Sequence, residues 1–161
     1  MQILHRDGKV LMDIPGDTLY GANLSGVDLS GADLSRADLS EADLTESKMF
    51  GSELSWAKLY GAYLRKADLR GADLHQTDLR DAKLPDNVRV LDMSGSMHWL
   101  RAVQIDTYVE VYIGCQRRSL DFWLANYATI GTHAGYDEEQ IAEYGRYLRL
   151  IDAWANGQKT G

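Results

Sequence analysis

From residue 19 to residue 84 an apolar side chain recurs at every fifth position. Leu stands at 19, 24, 29, 34, 39, 44, 54, 59, 64, 69, 74, 79 and 84, with Met49 in the single gap. Two residues before each stands a small residue: Ala at 22, 32, 37, 42, 57, 62, 67, 72 and 82, and elsewhere Val27, Ser47, Ser52 and Thr77. Only Asp17, at the first unit, is charged. A helix face needs apolar residues three and four apart, so a period of five excludes a helix. On an extended segment, residues two apart share a side. In each unit the small residue and the Leu therefore point inward and the residue between them points out. The next two residues turn the chain. Gly21, Gly26, Gly31, Gly51, Gly61 and Gly71 take the second of these places, where glycine relaxes backbone limits. A chain that turns the same way every five residues closes into a solenoid, its coils bonded at about 4.8 Å. The expected core is Leu24, Leu29, Leu34, Leu39, Leu44, Met49, Leu54, Leu59, Leu64, Leu69, Leu74 and Leu79.

The flanks follow other periods. Residues 2–11 hold two alternating apolar runs around Asp7-Gly8, which predicts a β-hairpin, and 1–16 is read as an N-terminal cap on the solenoid's open edge. After residue 86 the period of five ends. Val88 to Asp92 reads as a strand, and Trp99–Asp106 with Tyr108–Gly114 as a hairpin around Asp106-Thr107. Ser119 is a candidate N-cap for a helix over 120–129. A second helix over Asp137–Trp154 carries Ile141, Tyr144, Leu148, Ile151 and Trp154 on one stripe. The expected organisation is a cap (1–16), a repeat region (17–86) and a small α+β unit (87–161).

The repeat resembles the pentapeptide-repeat family, whose pattern A(D/N)LXX stands here as Ala22-Asn23-Leu24-Ser25-Gly26, Ala32-Asp33-Leu34-Ser35-Arg36 and Ala67-Asp68-Leu69-Arg70-Gly71. The resemblance implies a mainly β fold: a right-handed quadrilateral β-helix with four units per coil, here about 3.5 coils. Ser47, Met49 and Ser52 depart from the pattern together and suggest a looser coil there. The segment Gly114–Trp123 is similar to the tails of some bacterial and phage pentapeptide-repeat proteins, which implies no nameable activity.

With four units per coil, outward residues twenty apart stack. One column reads Thr18, Asp38, Lys58, Asp78 and another Asp28, Lys48, Asp68; both alternate in sign, so neighbours attract. A third reads Asn23, Asp43, Tyr63, Lys83. The fourth reads Asp33, Glu53, Asp73, carboxylates on successive rungs with no base between them. Acidic residues at this place in a unit also serve local turn hydrogen bonds. The alternative is a recognition face, Asp33, Glu53 and Asp73 beside Trp56 and His75, as the partner-binding candidates.

Charge and composition narrow the classes. The formal net charge of −7 argues against a direct nucleic-acid binder and suits a partner with a basic groove. Residues 17–46 hold seven acids and one base, whereas 47–86 hold six acids and seven bases. The lone Cys115 excludes an intramolecular disulfide, and no leader or membrane-length apolar run is present, so a soluble cytoplasmic protein with no membrane partner is expected. Cys115 with His98 or His133 as base is the one nucleophile pairing available, and a small core cysteine is the expected alternative. The His and Cys spacing forms no metal site, no cofactor is indicated, and no catalytic residue is assigned. Arg117 and Arg118 before a helix start are weak anion-binding candidates against a solvated charge pair.

The leading expectation is a non-enzymatic scaffold or adaptor that binds a protein partner through the β-helix face or the C-terminal unit. A DNA-mimic inhibitor of a DNA-handling enzyme, such as gyrase or a restriction enzyme, is the alternative that the resemblance implies. At strand spacing 3.5 coils span about 17 Å, or roughly five base pairs, so such a mimic needs doubled length. A small-molecule or nucleotide sponge using Arg117 and Arg118 is a third class. The aromatics of the C-terminal unit are numerous for its core, so a homodimer through that unit is expected.

Overall fold

Every corner of the repeat is a hydrogen-bonded four-residue turn. The Leu19 carbonyl accepts the Ala22 N–H at 3.0 Å, Leu29 accepts Ala32 at 3.0 Å and Leu59 accepts Ala62 at 3.1 Å. A turn of this kind needs positive φ at its third residue. That value is met at Gly21 (62°) and Gly61 (65°), and equally at Arg36 (61°), Glu41 (59°), Trp56 (63°) and Lys66 (60°). The left-handed conformation is thus a demand of the fold on every unit. Where a side chain is present it costs about 1–2 kcal/mol, which the bonds between rungs hold in place.

Those bonds are regular. Leu24 N–H donates to the Asp43 carbonyl at 2.7 Å, and Asp43 N–H donates to the Ala22 carbonyl at 2.9 Å. Parallel bridges join Asn23 to Asp43, Asp43 to Tyr63, Asp28 to Lys48, Asp38 to Lys58 and Asp33 to Glu53, each pair twenty residues apart. One rung therefore takes four units, and inward side chains stack on their counterparts. Leu29, Leu39, Leu44, Met49, Leu54, Leu59, Leu64 and Leu74 are 0% exposed, and Leu24, Leu34 and Leu69 nearly so. Each such burial is worth about 1.5–3 kcal/mol. Leu79, expected in the core, is only half-buried.

The coil through Ser47, Met49 and Ser52 is not looser. Lys48 N–H donates to Val27 at 2.9 Å, Met49 N–H to Asp68 at 3.0 Å and Glu53 N–H to Ala32 at 2.8 Å. The departure lies in what is buried: the hydroxyls of Ser47 and Ser52 are sealed inside without a hydrogen-bond partner. Thr77, at an equivalent inward place, donates its hydroxyl to the Leu54 carbonyl at 2.9 Å.

This computed structural model describes residues 2–14, 18–95 and 98–157. Asp17 and the outer ends of the 1–16 and 87–161 segments lie outside the described residues. The chain divides into two units, Met1–Asp86 and Asn87–Gly161. The first opens with an antiparallel hairpin of β1 (Gln2–His5) and β2 (Val10–Asp13), closed through Gly8 at φ 86°. Strand β1 also pairs antiparallel with β3 (Ala32–Asp33), Leu4 opposite Asp33 and His5 opposite Ala32. Ile3, 1% exposed, joins the core.

The second unit is an antiparallel meander, β4 (Val88–Ser94), β5 (Trp99–Ile105), β6 (Tyr108–Ile113) and β7 (Gln116–Ser119), followed by helices α1 (Leu120–His133) and α2 (Glu138–Asn156). Asp106, at φ 55°, sits in the β5–β6 turn. Ser119 caps α1 by accepting the Phe122 N–H, and Asp137 caps α2 through a reciprocal capping box with Gln140. Two readings needed revision: α1 runs on to His133, and Gln116–Ser119 is a strand. That segment is polar and short, so periodicity is silent there, and pairing with β6 decides its form. Ala102, Val111, Leu120, Trp123, Leu148 and Ile151 form the core, with the Trp123 indole N–H donating to the Val111 carbonyl at 2.9 Å. Among the described residues no helix is long and apolar enough to cross a membrane.

Candidate functional site

The outward face carrying Asp33, Glu53 and Asp73 is built rung upon rung. Asp33 bridges Glu53 and Glu53 bridges Asp73, which sets their carboxylates at about the 4.8 Å strand spacing. Two of the three also serve their own turns. The Asp33 Oδ1 accepts the Ser35 N–H at 3.1 Å and the Asp73 Oδ1 accepts the His75 N–H at 2.9 Å. Asp28, Asp38, Asp43, Asp68 and Asp78 bond in the same way, and Asn23 accepts the Ser25 N–H with its amide oxygen. The local-turn role is thus general to the position, and Glu53, one methylene longer, does not take part in it.

The neighbouring columns neutralise themselves. Lys58 reaches Asp38 at 3.2 Å across one rung and Lys48 reaches Asp28 at 4.0 Å. Lys66 meets Glu46 at 2.8 Å, and Arg70 and Arg80 each clasp the Asp two residues before, at 2.7 Å. Such exposed pairs contribute little stability, but they do shape the field. The Arg70 guanidinium beside Asp68 holds that carboxyl below its ordinary range, and the Ser40 hydroxyl, ahead of Lys58, does the same for Asp38.

Trp56 and His75 adjoin the acidic column. The Trp56 N–H donates to the His75 carbonyl at 2.9 Å, and the two rings meet edge to face at 6.2 Å between centroids. Trp56 is 56% exposed at the corner where the chain leaves this face. Phe50, 57% exposed, stands at the corner where the chain enters it. Phe50 lies outside the columns formed by the residue before each Leu; its signal in the sequence is an aromatic at the turn position straight after Met49. Glu53 therefore lies on a rung with an exposed aromatic ring three residues to either side. With Tyr20, Tyr60 and Tyr63, the repeat carries five of the seven large exposed aromatic side chains among the described residues.

The C-terminal unit absorbs its aromatics instead. Tyr112, Trp123 and Tyr144 are buried, while the guanidinium of Arg89 stacks over Trp154 at 4.3 Å and that of Arg101 over Trp99 at 4.7 Å. The aromatic surplus that motivated a dimer through this unit reduces to Tyr108 and Phe122. Arg117 and Arg118 are not brought together. They are consecutive on β7 and so point to opposite faces. Arg117 pairs with Glu110 at 2.7 Å, and Arg118 lies over the Phe122 ring.

Cys115 is exposed in the β6–β7 turn, which corrects its reading as a core residue. It shares with His98 a cavity of about 90 Å³ lined by Tyr127, Tyr136 and Tyr144. Nδ1 of His98 is 2.8 Å from the Tyr136 hydroxyl, and Nδ1 of His133 is engaged by the Thr129 carbonyl at 2.7 Å. Among the described residues neither imidazole bonds to the thiol, and no group of three or more His, Cys, Asp or Glu is placed to hold a metal. A second cleft, of about 240 Å³, is lined by Asp121 and Asp152, a poor wall for phosphate.

A family model of pentapeptide repeats matches residues 18–55 and 47–84, in eight copies. A comparison with curated proteins found no match. Among solved structures, the chain is similar to a pentapeptide repeat protein of the cyanobacterium Cyanothece 51142, at 34% identity and a TM-score of 0.40, over 42% of this chain and 45% of that one. It is 41% identical to a pentapeptide repeat protein of Nostoc PCC 7120, over 44% of this chain and 71% of that one, with a TM-score of 0.25. HetL of Nostoc sp. strain PCC 7120, involved in heterocyst differentiation regulation, is 31% identical over 43% of this chain and 41% of its own, with a TM-score of 0.27. The chain thus spans less than half the length of the Cyanothece protein and of HetL.

Proposed function

Because the chain belongs to the pentapeptide-repeat family, we propose that it is a non-enzymatic interaction module whose outward face of Asp33, Glu53 and Asp73 binds a protein partner. The observation that carries this reading is the placing of stacked carboxylates on one rigid wall, bounded on the Glu53 rung by Phe50 and Trp56. Aromatic anchors beside a single-sign column suit a partner that brings a row of Lys or Arg with apolar residues at its flanks. We read the repeat as a right-handed quadrilateral β-helix of about 3.5 coils, a reading supported by the twenty-residue spacing of its bridges. A lattice of this kind holds side chains in place without a mobile loop, so little ordering entropy is spent on binding.

Affinity capture from a bacterial lysate tests the proposal, with wild type and variants run side by side. A genuine partner is retained by wild type and by Asp38→Asn/Asp78→Asn on another column. It is lost with Asp33→Asn/Glu53→Gln/Asp73→Asn and with Phe50→Ser/Trp56→Gly. Capture of the same proteins by all four would overturn the assignment of this face. The second reading, a DNA-mimic inhibitor, draws on the seven acids and one base of residues 17–46. Competition between this protein and DNA for gyrase separates the two.

A further inference from the structure

We propose that the cavity between α1, α2 and the β6–β7 turn binds a small neutral aromatic compound carrying one hydroxyl group, a simple phenol. Its walls belong wholly to the second unit. Helix α1 contributes Trp123, Tyr127, Ile130 and Gly131 from one face. Tyr136, Ile141 and Tyr144 close it from the α2 side, and His98, Ile113 and Cys115 from the sheet. Its volume is about 90 Å³. An engineered apolar cavity of about 150 Å³ takes a benzene ring entirely, so this one admits most of a single ring and not two. The walls are preformed. The Tyr136 and Tyr144 rings stack with centroids 5.8 Å apart, and the His98 ring lies 5.9 Å from that of Tyr136. Three glycines let these side chains approach the backbone closely. A Cβ at Gly114 would come within 2.7 Å of the His98 ring, one at Gly145 within 2.7 Å of the Tyr127 hydroxyl, and one at Gly131 within 2.9 Å of Ile141. An aromatic guest therefore meets ring faces and edges already in place, with little ordering still to be done.

The lining also selects the chemistry of the guest. No Asp, Glu, Lys or Arg lines the cavity, so it offers no counter-charge to a carboxylate, phosphate or amine, and desolvating an ion there is unfavourable. Two polar groups are left over. The Tyr136 hydroxyl engages Nδ1 of His98 at 2.8 Å, and among the described residues neither Nε2 of His98 nor the Tyr127 hydroxyl is hydrogen-bonded. Nε2 donates in one tautomer and accepts in the other. A hydroxyl answers either state, as it answers the Tyr127 hydroxyl, because it both donates and accepts. Water is the competing occupant. A buried water needs roughly two to four polar partners, whereas Ile113, Ile130, Ile141 and the ring carbons make most of this wall apolar. Hydrocarbon suits the apolar part and a single hydroxyl suits the polar end. The site lies apart from the acidic face and stands independently of the partner-binding reading.

Titration of the full chain with p-cresol, followed by amide NMR shifts, tests the site. The shifts should saturate and centre on Gly114, Gly131 and Ile141, with Kd on the order of 1 mM for so small a ligand. Toluene should bind at least fivefold more weakly, and benzoate should not bind. Ala134 is exposed on the cavity rim. Ala134→Phe should weaken p-cresol binding at least tenfold without lowering the melting temperature. His98→Asn/Tyr127→Phe keeps a partner for Tyr136 and removes both leftover polar groups, so it should bind p-cresol no more tightly than toluene. Cys115, the chain's single cysteine and exposed beside the cavity, supplies a second readout. Saturating p-cresol should slow its alkylation by iodoacetamide at least threefold in the wild type and not in Ala134→Phe. Shifts that grow without saturating overturn the proposal. So does p-cresol affinity that is equal in the wild type and both variants, and so does toluene binding as tightly as p-cresol.

Discussion

Replacing Ser47 and Ser52 by Ala should make the repeat more stable, against the usual direction of core substitutions. Both side chains are 1% exposed and neither hydroxyl has a hydrogen-bond partner. A buried hydroxyl left unpaired costs about 1–3 kcal/mol in desolvation. The space suits the change: Ala67 stacks in the inward column of Ser47, and Ala32 and Ala72 in that of Ser52, all buried. Each substitution should therefore gain about 1 kcal/mol, and the double variant roughly 2, raising the melting temperature by about 4–8 °C. Thr77→Ala is the control of opposite sign, because its hydroxyl bonds the Leu54 carbonyl at 2.9 Å. It should lose about 1 kcal/mol or more. Urea unfolding followed by far-ultraviolet circular dichroism reads the wild type and the four variants, with midpoints compared at constant slope. Lower midpoints for Ser47→Ala and Ser52→Ala, parallel to Thr77→Ala, would show that the two serine hydroxyls are bonded and that the reasoning fails.

Further expectations rest on other parts of the molecule. Gly26→Ala and Gly31→Ala impose the same backbone strain, φ being 69° and 66°, but a Cβ at Gly31 would press into the His5 imidazole whereas Gly26 faces open space. Gly26→Ala should cost about 1–2 kcal/mol and Gly31→Ala clearly more, with added hydrogen exchange confined to β1 and β2. Leu59→Lys places an unpaired charge on the fully buried axis and should cost several kcal/mol; unchanged melting of a β-rich variant would refute the core assignment. Acid should loosen the hairpin. The Lys9 backbone N–H, then His5, lowers the Asp7 pKa from 3.8 to about 2. Stability contributed by Asp7 is present above its unfolded value near 3.8 and is lost as pH falls through about 2. Asp7→Asn should flatten that acid dependence, and an unchanged profile would count against the turn geometry.

The period of five, read along the chain, is enough to establish the repeat and its inward column. Leu at fixed spacing and Ala two residues earlier are a one-dimensional pattern, and each unit contacts mainly its neighbours in the coil. The cap on α1 is equally local, a side chain reaching an N–H three residues on, so Ser119 was legible in place, whereas Asp137 was legible only as the start of α2 and proves to be its cap. The acidic column could be written down once four units per coil were assumed, but only the bridges at twenty-residue spacing put Asp33 beside Glu53 and Glu53 beside Asp73. Other features belong to three dimensions alone. Arg36, Glu41, Trp56 and Lys66 adopt a glycine-like φ because the coil must turn there, whatever residue the sequence supplies. Ser47 and Ser52 look like modest departures in sequence, yet packing seals their hydroxyls away from every partner. Strand β7 carries no periodic signal and exists because β6 offers it a ladder. Phe50 becomes part of a face only when the corners on either side of Glu53 are closed, since a five-residue period records spacing along the chain and not which outward side chains share a wall.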